Sequence, residues 1–393
     1  MVWWLPAVGP LVVVAPPVAS SWSLRSSVGA IQALQERTSA EGKPLSLLSD
    51  TFDSESGLCS EGVWHNAWFG TACLLSAREL RRASSRPDQS CAEAEALVGS
   101  AVTLAESLHT LSFTPLGFRR RTASGIWESV DGAREAIERA GEDPAFYQPS
   151  EELRCAPNAA AVIFYSLLAE ERPHDEAARA RCLAIGDAFT SSFFDESVCR
   201  FRRAADAVPI YRALDQSLGA LACLRLARMG HRTAATRTMA TCGMDSLLRE
   251  FGYSLYAREG QPAGNYLGAA RPRNSWHDSL ACLALVVSNC LGVGGETPAG
   301  LLRAMAADYA AADGLLSHSP RERQAAEASP VCYTSTQAIW SAVLRSAADV
   351  ADEGEPSSEP STAEETVAGI DFAAGLRAFA EANVQQGAMP VSK

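Results

Sequence analysis

Two stretches of the sequence set proton carriers beside flat aromatic rings and side-chain amides. The first is Val63 to Ala77, VWHNAWFGTACLLSA, and the second is Ser275 to Val286, SWHDSLACLALV. Each opens with Trp-His and a short amide or carboxylate, then runs into an Ala-rich apolar segment with helical spacing. A histidine near its ordinary pKa exchanges protons at neutral pH, and a carboxylate beside it can orient it or act itself. Burying such a polar step is costly unless each group finds a partner, so its recurrence calls for a shared structural cap or a shared cavity. His65, His277, Asp215 and Asp278 are the candidate catalytic residues. Trp64, Trp68, Trp276 and Tyr211 offer faces for the C–H surface of a sugar ring, while Asn66, Asn158 and Gln216 offer amides for hydroxyls.

Two chemistries suit this set. Hydrolysis of a glycosidic bond needs two carboxylates, one protonated and one ionised, for which Asp215 and Asp278 are the candidates. Epimerisation or isomerisation needs a base and an acid on opposite faces of the sugar, for which His65 and His277 are the candidates. The plainer alternative is structural. Asn66, Asn158, Asp215 and Asp278 all lie near expected helix starts, where such side chains cap orphan backbone N–H groups. On that alternative the histidines and tryptophans are core or cap residues, and the protein is a non-catalytic scaffold or a glycan- or protein-binding module.

The elements that must position these residues are helices. The chain has 393 residues, 47% hydrophobic and 20% charged, and Ala and Leu dominate while Val/Ile/Thr clusters are rare. From Ser26 onward one unit recurs: an amphipathic helix, an aromatic or Leu near an acidic or Gly turn, a loop, and a more apolar helix that opens with polar residues. The turn Thr51 to Leu58 precedes Val63, and a weaker instance runs from Leu116-Gly117-Phe118 into Gly125-Ile126-Trp127-Glu128. Ala145-Phe146-Tyr147 precedes Ala156-Pro157-Asn158, and Phe193-Phe194-Asp195-Glu196 precedes Tyr211 to Leu218. Phe251-Gly252-Tyr253 leads to Trp276, and Asp313-Gly314-Leu315-Leu316 leads to Tyr333 through Trp340. The later helix starts, at Asn158, Asp215, Asp278 and Thr336, recur at about sixty residues, the length of a helical-hairpin repeat. Six hairpins fill residues 26–350. Helices too apolar all round for a surface form an inner ring and amphipathic helices cover it, giving an all-α (α/α)6 toroid, with an open solenoid as the alternative.

Residues 1–25 read as a leader or a disordered extension. Met1 to Ser21 is uncharged, with an apolar patch at Leu11 to Ala15, but has no basic start and is interrupted by prolines. A leader implies a secreted or organellar protein; otherwise the protein is cytoplasmic. No stretch has the length of a membrane span. Residues 351–366, rich in Pro, Ser and Glu, read as a disordered linker, and 367–393 as a short helix and tail. A net charge of −12 supplies no basic face for nucleic acid, and Arg119-Arg120-Arg121 reads as a solvated loop. The eleven cysteines include no CxxC pair and no Cys/His run at zinc spacing, so no metal is expected. Cys73, Cys223 and Cys282 read as core residues, and Cys59, Cys155, Cys199 and Cys332 as loop cysteines, two of which could pair. Gly292-Val293-Gly294-Gly295 lacks the preceding strand and the Lys-Ser/Thr of a phosphate loop, so no cofactor is expected.

The arrangement resembles the six-hairpin glycosidase-like superfamily, nearest to the N-acylglucosamine 2-epimerase-like toroids. The residues that carry the resemblance are Phe194-Asp195 before a loop and helix, Ala156-Pro157-Asn158 leading into Ala159 to Leu168, and Leu214 to Leu218. It spans nearly the whole repeat region as an architecture, and it implies a sugar substrate bound in the central cavity. The chain lacks the epimerases' catalytic-histidine segments, the Cys/Cys/His zinc set of the lanthipeptide-cyclase toroids and the Asp-rich motif of the triterpene-cyclase toroids. No catalytic residue carries over from any of them.

Overall fold

A computed structural model describes residues 51–52, 59–60, 63–83, 87–121, 150–205, 208–254, 267, 274–290, 298–309 and 317. The first and last segments of the chain, the Gly125–Glu128 step, the Tyr333–Trp340 step and the side chains of His65 and Trp276 lie outside that set.

Helices come in pairs. α1 (Val63–Ala83) is followed by α2 (Pro87–Ser112), α3 (Cys155–Glu171) by α4 (Glu176–Phe193), α5 (Ala213–Arg228) by α6 (Thr233–Asp245), and α7 (Ser275–Cys290) by α8 (Pro298–Tyr309). The first member of each pair packs on the first member of the next, α1 on α3, α3 on α5, α5 on α7, while the second member lies against its own partner. Burial explains the division. In α3 every residue from Cys155 to Ala169 is buried, a helix apolar on all sides that only an interior can hold. α4 instead buries one stripe, Cys182, Ile185, Gly186, Phe189 and Phe193, at helical spacing, and starts at Asp175, whose carboxylate accepts the Ala178 N–H at 2.9 Å. The result is an arc of inner helices covered by an outer layer.

The helix start expected at Gly125–Glu128 lies outside the described residues, while the turn expected before it, Leu116–Phe118, lies within them. Those residues turn from β3 (Phe113–Thr114) into β4 (Gly117–Arg121), which pairs with β5 (Ser150–Leu153), and α1 contacts α3 directly. Among the described residues no helix stands between α1 and α3. Gly117 adopts φ +127°, open to glycine and strained for other residues, which reverses the chain tightly after α2.

Short extended segments precede α1, α3 and α5 in the chain. β1 (Thr51–Phe52) pairs with β2 (Cys59–Ser60), and β6 (Phe194–Asp195) with β7 (Arg200–Phe201). Beyond β5, Arg154 bridges Ala204 and Arg202 bridges Tyr211, so β4, β5 and residues 202–205 and 208–211 form a belt over α3 and α5. Close packing fixes the belt and the ring. The Phe164 ring of α3 lies on Gly70 of α1, and the Phe201 ring of β7 on Gly219 of α5, in space that a Cβ would fill. Phe201 also stacks on Phe189 at 5.9 Å, joining the belt to the outer layer.

Candidate functional site

The first turns of the four inner helices align residue for residue. They read Val63-Trp64-His65-Asn66, Cys155-Ala156-Pro157-Asn158, Ala213-Leu214-Asp215-Gln216 and Ser275-Trp276-His277-Asp278. Both Trp-His pairs therefore hold the second and third positions of their helices. The fourth position is polar and fully or almost fully buried in all four: Asn66, Asn158, Gln216 and Asp278.

The fourth-position side chains explain why a polar group is buried there. Asn158 Oδ1 accepts the Phe118 N–H at 2.6 Å, and its Nδ2 donates to the Phe118 carbonyl at 2.9 Å and the Arg154 carbonyl at 2.8 Å. Gln216 repeats the device one repeat later: Oε1 accepts the Phe201 N–H at 2.9 Å and Nε2 donates to the Phe201 carbonyl at 2.7 Å. Each amide mimics a strand edge and clamps a belt strand to an inner helix. Asn158 and Gln216, expected to grip sugar hydroxyls, have these hydrogen-bonding groups engaged with backbone.

Both candidate carboxylates are also fully buried. Asp215 accepts both arms of a bidentate pair from Arg212, at 2.6 and 2.7 Å. Asp278 receives the Tyr253 hydroxyl on one oxygen at 2.8 Å and the Tyr309 hydroxyl on the other at 2.6 Å, tying α7 to α8 and to the segment before it. Burial first, and the Asp278 carboxylate second, push the Tyr253 phenol well above its ordinary value, so it remains a donor. A hydrolytic pair needs carboxyls that reach substrate on both sides of a bond, and neither Asp215 nor Asp278 exposes surface. They act as ties.

The remaining candidate side chains that the structure describes are more open. Trp64 and Trp68 are half-buried and meet edge to face at 5.6 Å between ring centres. His277 is half-buried, with its backbone N–H capped by Asn274 Oδ1 at 2.9 Å. Tyr211 is half-buried and donates its hydroxyl to Asp195 at 2.9 Å, while the Arg200 guanidinium lies over its ring at 5.4 Å. Hydrogen bonds from Ser197 and then Tyr211 hold the Asp195 carboxyl below its usual range.

At the opposite ends of α1, α3 and α5 the structure holds a feature that sequence reasoning missed, a cavity of about 780 Å³ lined by Arg78, Glu170, Glu171, Arg179, Arg228 and the Met229–Gly230 backbone. Glu170 pairs with Arg78 at 3.1 Å, Arg225 at 2.7 Å and Arg228 at 3.2 Å, and Glu171 pairs with Arg78 and Arg81. Burial alone raises both carboxyls, but the arginines outweigh it and hold both below the ordinary range. Arginines suit this end because three helix C-termini present their carbonyls here. The signal was in the sequence: Glu170-Glu171 closes α3, Arg225 and Arg228 close α5, and Arg78 and Arg81 lie in the last two turns of α1. Among the described residues no group of three or more His, Cys, Asp or Glu could hold a metal, and no helix is long and apolar enough to cross a membrane.

No family model and no curated protein matches the chain. Solved structures do, and they define its fold as the six-hairpin, (α/α)6 toroid. A D-mannose isomerase superposes with a TM-score of 0.57 at 11% identity, over 93% of this chain and 87% of that one. The cellobiose 2-epimerase of Spirochaeta thermophila DSM 6192 gives 0.51 at 13% identity over 92% and 97%. Endoglucanase Cel10 of Klebsiella pneumoniae, a family 8 glycosyl hydrolase, gives 0.50 at 12% identity over 91% and 99%.

Proposed function

We propose that the chain is an enzyme that epimerises or isomerises a reducing sugar, with His65 and His277 as proton carriers and Trp64, Trp68 and Trp276 as stacking walls. The observation that carries this reading is the shared register of the two Trp-His pairs. Contact order runs α1, α3, α5, α7 without interruption. On this reading α1 and α7 stand across the ring mouth from each other, which puts the two pairs on opposite sides of the sugar. One imidazole removes the proton from the carbon beside the carbonyl of the open-chain sugar. The other, protonated, returns a proton to the opposite face, which inverts that centre, and the two exchange roles in the reverse direction. The catalytic unit is residues 26–350, with 1–25, 351–366 and 367–393 outside it.

Two structural neighbours of this fold are named as a sugar isomerase and a sugar epimerase, and a third as an endoglucanase. The buried ties of Asp215 and Asp278 favour the first kind of chemistry over the second. Purified protein offered reducing sugars and aryl glycosides is expected to interconvert a reducing sugar and to leave the glycosides intact. Release of the aryl group with no sugar interconverted would overturn the proposal.

A further inference from the structure

We propose that the cavity at the carboxy-terminal ends of α1, α3 and α5 binds a phosphate dianion, free or carried as the monoester of a small molecule. The charged residues that line it, with those their ion pairs reach, are five arginines and three glutamates. Glu170 is shared by Arg78, Arg225 and Arg228, Glu171 by Arg78 and Arg81, and Arg81 also meets Glu95 at 2.8 Å, while Arg179 lines the cavity beside Arg228. Arg172, next to the lining residue Pro173, is matched by Asp175 at 3.3 Å. A surplus of two positive charges therefore gathers at one cavity of a chain whose net charge is −12.

Helix ends account for four of the five arginines. Arg78 and Arg81 close α1, and Arg225 and Arg228 close α5, where carbonyl ends favour cations. Arg179 has no such reason. It is the fourth residue of α4, near a helix start that disfavours a cation, and among the described residues it pairs with no carboxylate. Its Nη2 instead donates to the Met229 carbonyl at 2.8 Å, which holds the guanidinium at the cavity wall. A guanidinium carries five N–H donors, and the contacts described engage two nitrogens of Arg78 and one each of Arg179 and Arg228, so all three keep donors for a ligand. Phosphate fits this set better than a carboxylate. It matches both surplus charges and offers three terminal oxygens to arginines that arrive from three helices, α1, α4 and α5. At about 780 Å³ the cavity exceeds one phosphate and leaves room for the rest of an ester. Burial pulls the Arg225 guanidinium below its ordinary value against the opposing pull of Glu170, and Arg228 and Arg78 act in the same direction as burial. Such crowding of like charge is what a bound anion relieves.

The test is isothermal titration of the full chain with inorganic phosphate and, separately, with phenyl phosphate, at one fixed ionic strength set with chloride. Saturable one-to-one binding of at least one of them is expected. Tighter binding of inorganic phosphate assigns the site to the free ion, and tighter binding of phenyl phosphate assigns it to an ester. Arg179→Gln and Arg228→Gln should each weaken the tighter ligand about tenfold or more, since each removes charge-assisted hydrogen bonds to the anion. Both side chains are exposed, so each variant should keep the wild-type circular dichroism and melting temperature. Arg232→Gln, which changes an exposed arginine paired with Asp187 outside the cavity, should bind like the wild type. No binding of either ligand by the wild type, wild-type affinity in the folded Arg179→Gln or Arg228→Gln variant, or an equal loss in Arg232→Gln would overturn the proposal.

Discussion

Replacing Asn158 with alanine tests the clamp that joins the belt to the inner ring. The substitution removes three hydrogen bonds at 2.6, 2.9 and 2.8 Å and leaves the N–H and C=O of Phe118 facing a space too enclosed for easy hydration. An orphaned buried polar group costs about 1–3 kcal/mol, so the two at Phe118 together give a destabilisation of about 2–6 kcal/mol. Urea unfolding followed by far-UV circular dichroism measures it, with the midpoint falling at an unchanged slope. Asn158→Asp is informative beside it. It keeps an acceptor for the Phe118 N–H but turns a carboxylate toward two carbonyls, so it should be no better tolerated than alanine. Gln216→Ala should cost a similar amount, and the double variant should show near-additive loss, since the two clamps hold different strands. A loss below about 1 kcal/mol for Asn158→Ala would refute the reasoning, because it would mean that the Phe118 backbone finds other partners.

Asp278→Asn should lower the melting temperature while Tyr253→Phe and Tyr309→Phe each lower it less, because the carboxylate serves both hydroxyls and each tyrosine only one; equal losses in all three would contradict this. The arginine-held carboxyls at the far end of the ring make stability pH-dependent. Since Glu170 and Glu171 have folded pKa values below their unfolded ones, the stability they contribute is present above the unfolded carboxylate range and is lost as pH falls through the lower folded values. Arg78→Met should therefore shift the acid-unfolding midpoint to higher pH, and an unchanged midpoint would show that the remaining arginines suffice. Gly219→Ala should destabilise by displacing the Phe201 ring, an effect that Phe201→Leu should partly relieve in the double variant.

The ring was legible because its evidence is periodic. Starts at Val63, Asn158, Asp215 and Asp278 follow from where apolar helical runs begin, and the observed helices begin within three residues of each. The site was legible only as a set of positions. A polar residue at the start of an apolar helix reads alike whether it caps, clamps or catalyses, and only the partner distinguishes them. For Asn158 and Gln216 the partner is the backbone of a strand 40 and 15 residues earlier, and for Asp278 it is two tyrosine hydroxyls, relations that local spacing does not carry. The Glu170 cluster escaped for the same reason. Its members are ordinary charged helix ends until three helices bring them together.

The account's central claim is that His65 and His277 move protons on a sugar held between them. Incubating the protein with reducing sugars in deuterium oxide and following the signal of the proton beside the carbonyl by proton NMR tests it most directly. The account predicts that the product carries solvent deuterium at that carbon, and that His65→Ala and His277→Ala each slow the exchange about 10²–10⁴-fold while melting like the wild type. Exchange at the wild-type rate in both variants would contradict it.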